Sequence, residues 1–135
     1  MAIQLSTAVR NAQLDIWETT ISTTPKLQIR TGAQPANCAA ADSGTLLCEI
    51  TLPSDWMNAA SGGTKTLLGT WSGTGVAADV AAHFRLKDSA GTTCHMQGTV
   101  TVTGGGDATI DSTDASIAIG QTVNVTSFTL TAANS

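Results

Sequence analysis

The stretch HFRLKDSAGTTCHMQGTVTV, residues 83–102, decides the fold because it contains the clearest hairpin pattern in the chain. Polar and apolar side chains alternate from His83 to Lys87, which is the period of a β-strand. The turn sequence Asp88-Ser89-Ala90-Gly91 follows, and a return strand is predicted over residues 92–102. Pairing about this turn predicts one inner and one outer face. The inner face carries Phe84, Leu86, Cys94 and Met96, and the outer face carries His83, Arg85, Lys87, His95 and Gln97.

The same period of two recurs along the chain after Pro25. Further short strands are predicted at residues 26–30, 46–52, 66–72, around Ile110, at 117–119 and at 122–131. In the last strand the apolar positions change parity between Val125 and Phe128, which predicts a β-bulge near residues 126–127. Together these segments give about seven or eight antiparallel strands, which is typical of an all-β sandwich or jelly roll.

One α-helix is predicted before the strands, from Leu5 to about Ile21, and it has two apolar stripes. The first stripe is Leu5, Val9, Ala12 and Ile16, and the second is Leu14, Trp17 and Ile21. Two stripes favour contact with two surfaces, the sheet and a partner; alternatively, Trp17 only covers the edge of the core. We predict a single domain overall, with residues 1–24 as a helical segment that packs on the sheet or on a partner, and residues 25–135 as the sandwich or jelly roll.

The composition favours a subunit that associates with neighbours. Charged residues make up 12% of the chain, which is about half of the usual ~25%, and weakly charged surfaces carry little protection against association. The net charge of −4 and the absence of a basic cluster predict no nucleic-acid binding. No apolar run is long enough to span a membrane, and residues 1–5 do not resemble a secretory signal, so we expect synthesis and folding in a cytoplasm.

Neither the cysteines nor the histidines predict a chemical site. Cys38, Cys48 and Cys94 are odd in number and widely spaced, so free thiols are expected in a reducing compartment, with a Cys38–Cys48 bridge as the alternative. His83, His95 and Cys94 are a candidate metal set, but the strand pattern places Cys94 and His95 on opposite faces.

The acidic residues are equally uninformative. Asp107, Asp111 and Asp114 lack the spacing of a calcium loop, and ten scattered acids always permit some hydrolase pair. A small hydrolase would need a deep pocket in which a histidine contacts a carboxylate. We therefore predict no catalytic residue, no cofactor and no metal ion.

Two further groups of side chains are candidates for contact with other molecules. Lys26, Arg30, Arg85 and Lys87 hold four of the six cations on predicted outer faces, where they form either a patch for an acidic neighbour or a solvated sheet face. Trp17, Trp56 and Trp71 are candidates for stacking on sugars, although the strand pattern favours a core position for Trp71.

Four segments carry a resemblance to a known group of proteins: MAIQLSTAVRNA at residues 1–12, LQIRTG at 27–32, LPSDWM at 52–57 and HFRLKDS at 83–89. They resemble segments of short proteins from tailed bacteriophages and prophages, and the resemblance covers nearly the whole chain. Members with a role are virion structural proteins. In size, β fold and single-domain plan the chain is similar to capsid cement or decoration proteins, which implies a place on the major capsid protein shell.

The sequence thus predicts a capsid decoration protein on the virion surface that binds the major capsid protein and itself, as a homodimer or homotrimer. The predicted contact residues are Leu14, Trp17, Ile21, Arg30, Arg85 and Lys87. The alternative is a carbohydrate- or receptor-binding module of a phage tail or fibre. That alternative expects Trp56 and Trp71 to be accessible in a groove lined by loops.

Overall fold

The computed structural model describes residues 3–134 and is mostly β, with one helix at the N-terminal side. The extreme ends of the two predicted segments, residues 1–2 and 135, lie outside the described residues. The elements are α1 Thr7–Ile21, β1 Lys26–Arg30, β2 Leu46–Thr51, β3 Thr64–Thr66, β4 Ser72–Thr74, β5 Asp79–Val80, β6 His83–Lys87, β7 Cys94–Thr101, β8 Ala108–Ile110, β9 Ser116–Ile117 and β10 Thr122–Thr131.

Most of the strands belong to one curled sheet, in the order β2-β1-β6-β7-β8-β10-β3, and β4 also pairs with β10. The strands β5 and β9 form a separate two-stranded ribbon. The sheet curls so that β4 comes to lie beside β2: Cys48 in β2 bridges Gly75 next to β4, and the Val76 N–H donates to the Leu47 carbonyl at 2.8 Å. A glycine allows this close approach, since a Cβ on Gly73 would lie 2.9 Å from the Cys48 sulfur.

The sheet is mixed, so the prediction of purely antiparallel strands is wrong at one place. The strands β7 and β8 run parallel, with Val100 opposite Ala108. The short return between them is fixed by Asp107, whose Oδ2 accepts hydrogen bonds from the Thr99 N–H at 2.9 Å and the Thr99 hydroxyl at 3.0 Å. Gly98 leaves room for this carboxylate, because a Cβ there would meet Oδ2 of Asp107 at 2.7 Å.

The hairpin of β6 and β7 is confirmed, with one change of face. Phe84 and Leu86 are buried in the core as predicted. A register shift between Leu86 and Lys87 places Cys94 opposite Lys87, and Arg85 Nε donates to Cys94 Sγ at 3.3 Å. Cys94 therefore lies on the same side as Arg85, and its predicted inner position is wrong because the bulge reverses its parity.

The other strands agree with the sequence pattern in part. The bulge in β10 is confirmed, because the pairing with β8 shifts between Val125 and Ser127 and so keeps Val125 and Phe128 buried. The predicted strand over residues 66–72 is instead divided into β3 and β4. Gly69 separates the two with a φ of +75°, a left-handed conformation that favours glycine.

The core contains an aromatic cluster. The rings of Trp56 and Trp71 are 6.1 Å apart, and the ring of Trp71 lies 5.2 Å from that of Phe128. The ring of Phe84 contacts Phe128 edge-on at 5.6 Å. Aromatic clusters of this kind supply much of the apolar burial in a small domain.

The helix α1 packs beside β3 through ionic and apolar contacts. Lys65 in β3 is only 2% exposed, and its Nζ lies 2.7 Å from Asp15 Oδ1 and 3.0 Å from Glu18 Oε2. Leu14 and Ile21 on the same side of the helix are 1% and 5% exposed. The residue 1–24 segment therefore packs on the sheet over its described part.

Candidate functional site

Two of the predicted contact cations are buried, so the prediction that they face outward is wrong. Arg85 and Lys87 in β6 are 1% and 5% exposed, and the side chain of Arg30 in β1 is 11% exposed. The loop of residues 31–44, here called the covering loop, lies over this face of β1, β6 and β7. The alternating pattern indicates two faces correctly, but a loop without large apolar side chains covers the second one.

The covering loop carries the carboxylate that these cations share. Asp42 Oδ2 lies 2.6 Å from Lys87 Nζ and 3.1 Å from Arg30 Nη2, and Oδ1 lies 2.8 Å from Arg85 Nη1. Desolvation is the largest single influence on Asp42 and raises its pKa. The hydrogen bond from Lys87 and the charges of Arg30, Lys87 and Arg85 together outweigh it, so the net pKa of Asp42 is lowered.

Backbone carbonyls of the covering loop complete the attachment. Arg85 donates to the Cys38 carbonyl at 2.7 Å and to the Ala40 carbonyl at 2.9 Å, and Gln97 Nε2 donates to the Pro35 carbonyl at 2.6 Å. The His83 Nδ1 lies 2.8 Å from the Gly32 carbonyl oxygen. Because the loop is held almost entirely by polar contacts, this arrangement positions the loop and leaves Arg85 and Lys87 without access to a partner.

Sequence reasoning did not single out Asp42, which organises this cluster. It stands among alanines in a loop that has no period, and nothing near it in the sequence indicates that it reaches three cations on two strands. An open cleft of about 640 Å³ remains between the covering loop and the hairpin, lined in part by Cys38, Cys94 and Thr92.

The structure also reverses the predicted assignment of the two helix stripes. Leu14 and Ile21, predicted as partner contacts, pack into the interior, and only Trp17 of that stripe is substantially accessible, at 39%. Val9 and Ile16 of the other stripe are 46% and 55% exposed. We call the exposed residues Val9, Ala12, Gln13, Ile16, Trp17 and Thr20 the outer helix face.

Within α1, all of whose residues are described, each charged side chain bonds to another part of the protein, although the Asp15 side chain stays 48% exposed. Arg10 Nε donates to the Ala132 carbonyl at 2.9 Å. Asp15 and Glu18 bind Lys65 and also accept hydrogen bonds from the Ala60 and Met57 backbone N–H groups at 3.0 and 3.3 Å. The outer helix face therefore carries no charge, which is the reverse of an ordinary surface helix.

Trp17 lies at the border between the outer helix face and the sheet. It lines three shallow pockets of about 180, 220 and 350 Å³. Apolar or partly apolar neighbours in these pockets include Met96 of β7, Leu130 of β10 and Ile16 of α1. The outer helix face and these pockets together form an uneven surface, on which Asp107 is the acidic side chain, that can accept side chains from another protein.

The remaining predicted candidates do not assemble into a site. Trp56 and Trp71 are 0% and 1% exposed, so the expectation that they are accessible for sugar stacking is wrong. Over residues 3–134 no group of three or more histidine, cysteine or acidic side chains is arranged to hold a metal ion, and the three cysteines are free thiols. No helix in the described part of the chain has the length and apolar character needed to cross a membrane.

The chain was compared with protein-family models, with curated proteins and with solved structures, and none of them matches it.

Proposed function

We propose that this chain is a virion structural protein of a tailed bacteriophage, and specifically a capsid decoration protein without enzymatic activity. It binds the outside of the major capsid protein shell as a homodimer or homotrimer and stabilises the shell. The sandwich or jelly-roll plan expected for such proteins belongs to the same proposal. The resemblance in four segments of the sequence supports this class of protein, and the outer helix face is the proposed contact surface.

The outer helix face is the observation that carries the proposal. Val9, Ile16 and Trp17 are the exposed large apolar side chains of a helix whose charged residues all bond to other parts of the protein. Apolar groups left in water do not stabilise an isolated helix. Charged groups that bond to the protein do not make the helix more soluble. The arrangement is favourable when a second protein covers the face.

The energy available at this face suits a protein that binds in many copies. Completing the burial of each half-exposed apolar side chain contributes roughly 1 kcal/mol. One such contact is weak, but capsid symmetry and oligomerisation of the decoration protein repeat it. Weak repeated contacts permit correction during assembly and still stabilise the finished shell.

The tail or fibre alternative has less support. It relied on Trp56 and Trp71 in an open groove, and both are buried in the aromatic core. Trp17 is the one tryptophan with a substantial exposed fraction, and it lies beside a helix rather than within a ring of loops. The two functions differ in copy number and location, so one experiment distinguishes them.

The test uses purified virions and a complemented gene deletion. Labelling with an antibody should find the protein on the head in roughly hundreds of copies, and particles without it should release DNA at a lower temperature. A few copies at the tail would support the alternative and overturn the decoration role. Complementation with Ile16→Lys should fail to restore heat resistance, whereas Ala8→Lys, an exposed position on the same helix but outside the outer helix face, should restore it.

A further inference from the structure

Two of the three cysteines meet at the edge of the covering loop. Cys38 belongs to the loop and Cys94 begins β7, and the two residues line the same open cleft. The guanidinium group of Arg85 hydrogen-bonds to both residues: Nη2 donates to the Cys38 carbonyl at 2.7 Å, and Nε donates to Cys94 Sγ at 3.3 Å. Fifty-five positions separate them in sequence, so the fold and not the chain brings them together.

From this geometry we propose that Cys38 and Cys94 form a redox-sensitive pair, which a small-molecule disulfide such as oxidised glutathione converts to an intramolecular disulfide. The bridge joins the covering loop covalently to β7. It is distinct from the Cys38–Cys48 bridge considered on the sequence, because Cys48 is fully buried in β2 beside Gly73.

The three thiols have different surroundings in the reduced protein. Desolvation is the largest cause of the raised pKa of Cys38, and a side-chain hydrogen bond with Cys94 raises it further. Cys94 Sγ accepts a hydrogen bond from Arg85 Nε at 3.3 Å and lines the open cleft, where a small-molecule disulfide can reach it. Both residues are partly accessible, whereas burial raises the pKa of Cys48 to about 11 and keeps that thiol protonated.

The chemistry is two successive thiol–disulfide exchanges. The Cys94 thiolate attacks one sulfur of oxidised glutathione, forming a mixed disulfide and releasing one glutathione thiolate. The Cys38 thiolate then attacks the Cys94 sulfur, forming the Cys38–Cys94 bond and releasing the second glutathione. The protein loses two protons and two electrons, and one glutathione disulfide becomes two glutathione thiols.

The consequence for the molecule is a second attachment of the covering loop. In the reduced protein the loop depends on polar contacts to Asp42 and to its carbonyls, whereas the oxidised protein adds a covalent link that salt and acid do not weaken. A protein made in a reducing cytoplasm and later exposed to an oxidising medium gains this attachment after folding.

The test treats the folded, full-length protein with oxidised glutathione and measures free thiols, intact mass and a non-reducing peptide map. We expect two of the three thiols to disappear, the mass to fall by two hydrogens and a Cys38–Cys94 linked peptide to appear. The thermal midpoint should rise by about 5 °C or more, since the bridge closes a long loop, and dithiothreitol should reverse the rise.

Matched variants complete the experiment. Cys38→Ser and Cys94→Ser should each abolish the linked peptide and the thermal shift, and Cys48→Ala should retain both. Three unreacted thiols, a bridge to Cys48, disulfide-linked dimers or a glutathione adduct that never resolves would each overturn the proposal. The peptide map of the unmodified protein decides the question even if a variant does not fold.

Discussion

Lys87 Nζ lies 2.6 Å from Asp42 Oδ2, so a carboxylate of the covering loop pairs with an ammonium group that is almost completely buried in β6. The same carboxylate also binds Arg85 at 2.8 Å. Removing a charge from water is costly unless a partner compensates for it, and here one anion serves several cations. The stability of this face of the sheet therefore depends on Asp42 more than on any one of the cations.

Asp42→Asn should destabilise the protein by about 3 kcal/mol, because the substitution leaves Arg85 and Lys87 buried without their counter-charge. Urea unfolding followed by tryptophan fluorescence measures the change. Asp55→Asn, at an exposed carboxylate outside this cluster, is the control and should change the free energy of unfolding by less than about 0.5 kcal/mol. Equal effects of the two substitutions would contradict the structural role of the cluster.

Acid should weaken the same contacts in a defined pH range. The pKa of Asp42 is lowered in the folded state from its ordinary value of 3.8, so the folded protein binds this proton less readily than the unfolded chain. The stabilisation is therefore fully present above the unfolded-state pKa and is lost as pH falls through the folded-state pKa. The difference in unfolding free energy between the unmodified protein and Asp42→Asn should be constant from pH 7 to about pH 5 and should shrink below about pH 4. A difference that grows in acid would contradict this sign.

A pair of alanine substitutions should distinguish the buried and exposed stripes of α1. Leu14→Ala removes a side chain that is 1% exposed and should cost about 2–5 kcal/mol of stability. Ile16→Ala changes a side chain that is 55% exposed and should change the stability of the isolated protein by less than about 0.5 kcal/mol. Thermal and urea unfolding of both variants provide the measurement. The opposite ranking would mean that the helix packs on the sheet with its other stripe.

Closure of the curled sheet should depend on the absence of a side chain at Gly73. A Cβ at this position would lie 2.8 Å from Cγ1 of Ile50 and 2.9 Å from Sγ of Cys48, so Gly73→Ala should push β4 away from β2. We expect a loss of about 1–3 kcal/mol. Thr74→Ala, at the exposed neighbouring position, is the control. Faster amide hydrogen exchange at Val76, whose N–H bonds to Leu47, would locate the damage at the closure.

The sequence predicted the positions of individual strands better than it predicted which parts of the chain cover their faces. The period of two placed β6 at His83–Lys87 and the change of parity in β10 located its bulge. Alternation cannot show whether both faces of a strand are covered, and it therefore failed for Arg85 and Lys87. The covering loop has no period of its own, and its contacts are made by backbone carbonyls and one aspartate.

The helix itself is confirmed, but the assignment of its two stripes and the prediction of purely antiparallel pairing were wrong for related reasons. Charged residues usually mark the solvent side of a helix, but a buried Lys65 attracts Asp15 and Glu18 toward the sheet. The three glycines at residues 104–106 follow β7 and are typical of a turn that ends a hairpin. The Asp107 carboxylate instead bonds to Thr99 of β7, and the next strand, β8, runs parallel to β7. In each case a polar contact to a neighbouring strand overrides the local pattern.

Burial of cations changes what an approaching molecule meets. Lys65, Arg85 and Lys87 are three of the six positive side chains, and all three are withdrawn from water, whereas many of the acidic residues remain at the surface. The net charge of −4 sets the electric field at a distance, and burial of the cations makes the contact surface itself more acidic than the composition indicates. Acidic neighbours, including further copies of the chain, are repelled at distances beyond a few ångströms, and the repulsion fades once the ionic strength reaches about 0.1 M. The rate constant for association with such neighbours should rise with added salt. Most associations that are guided by electrostatic attraction become slower in salt.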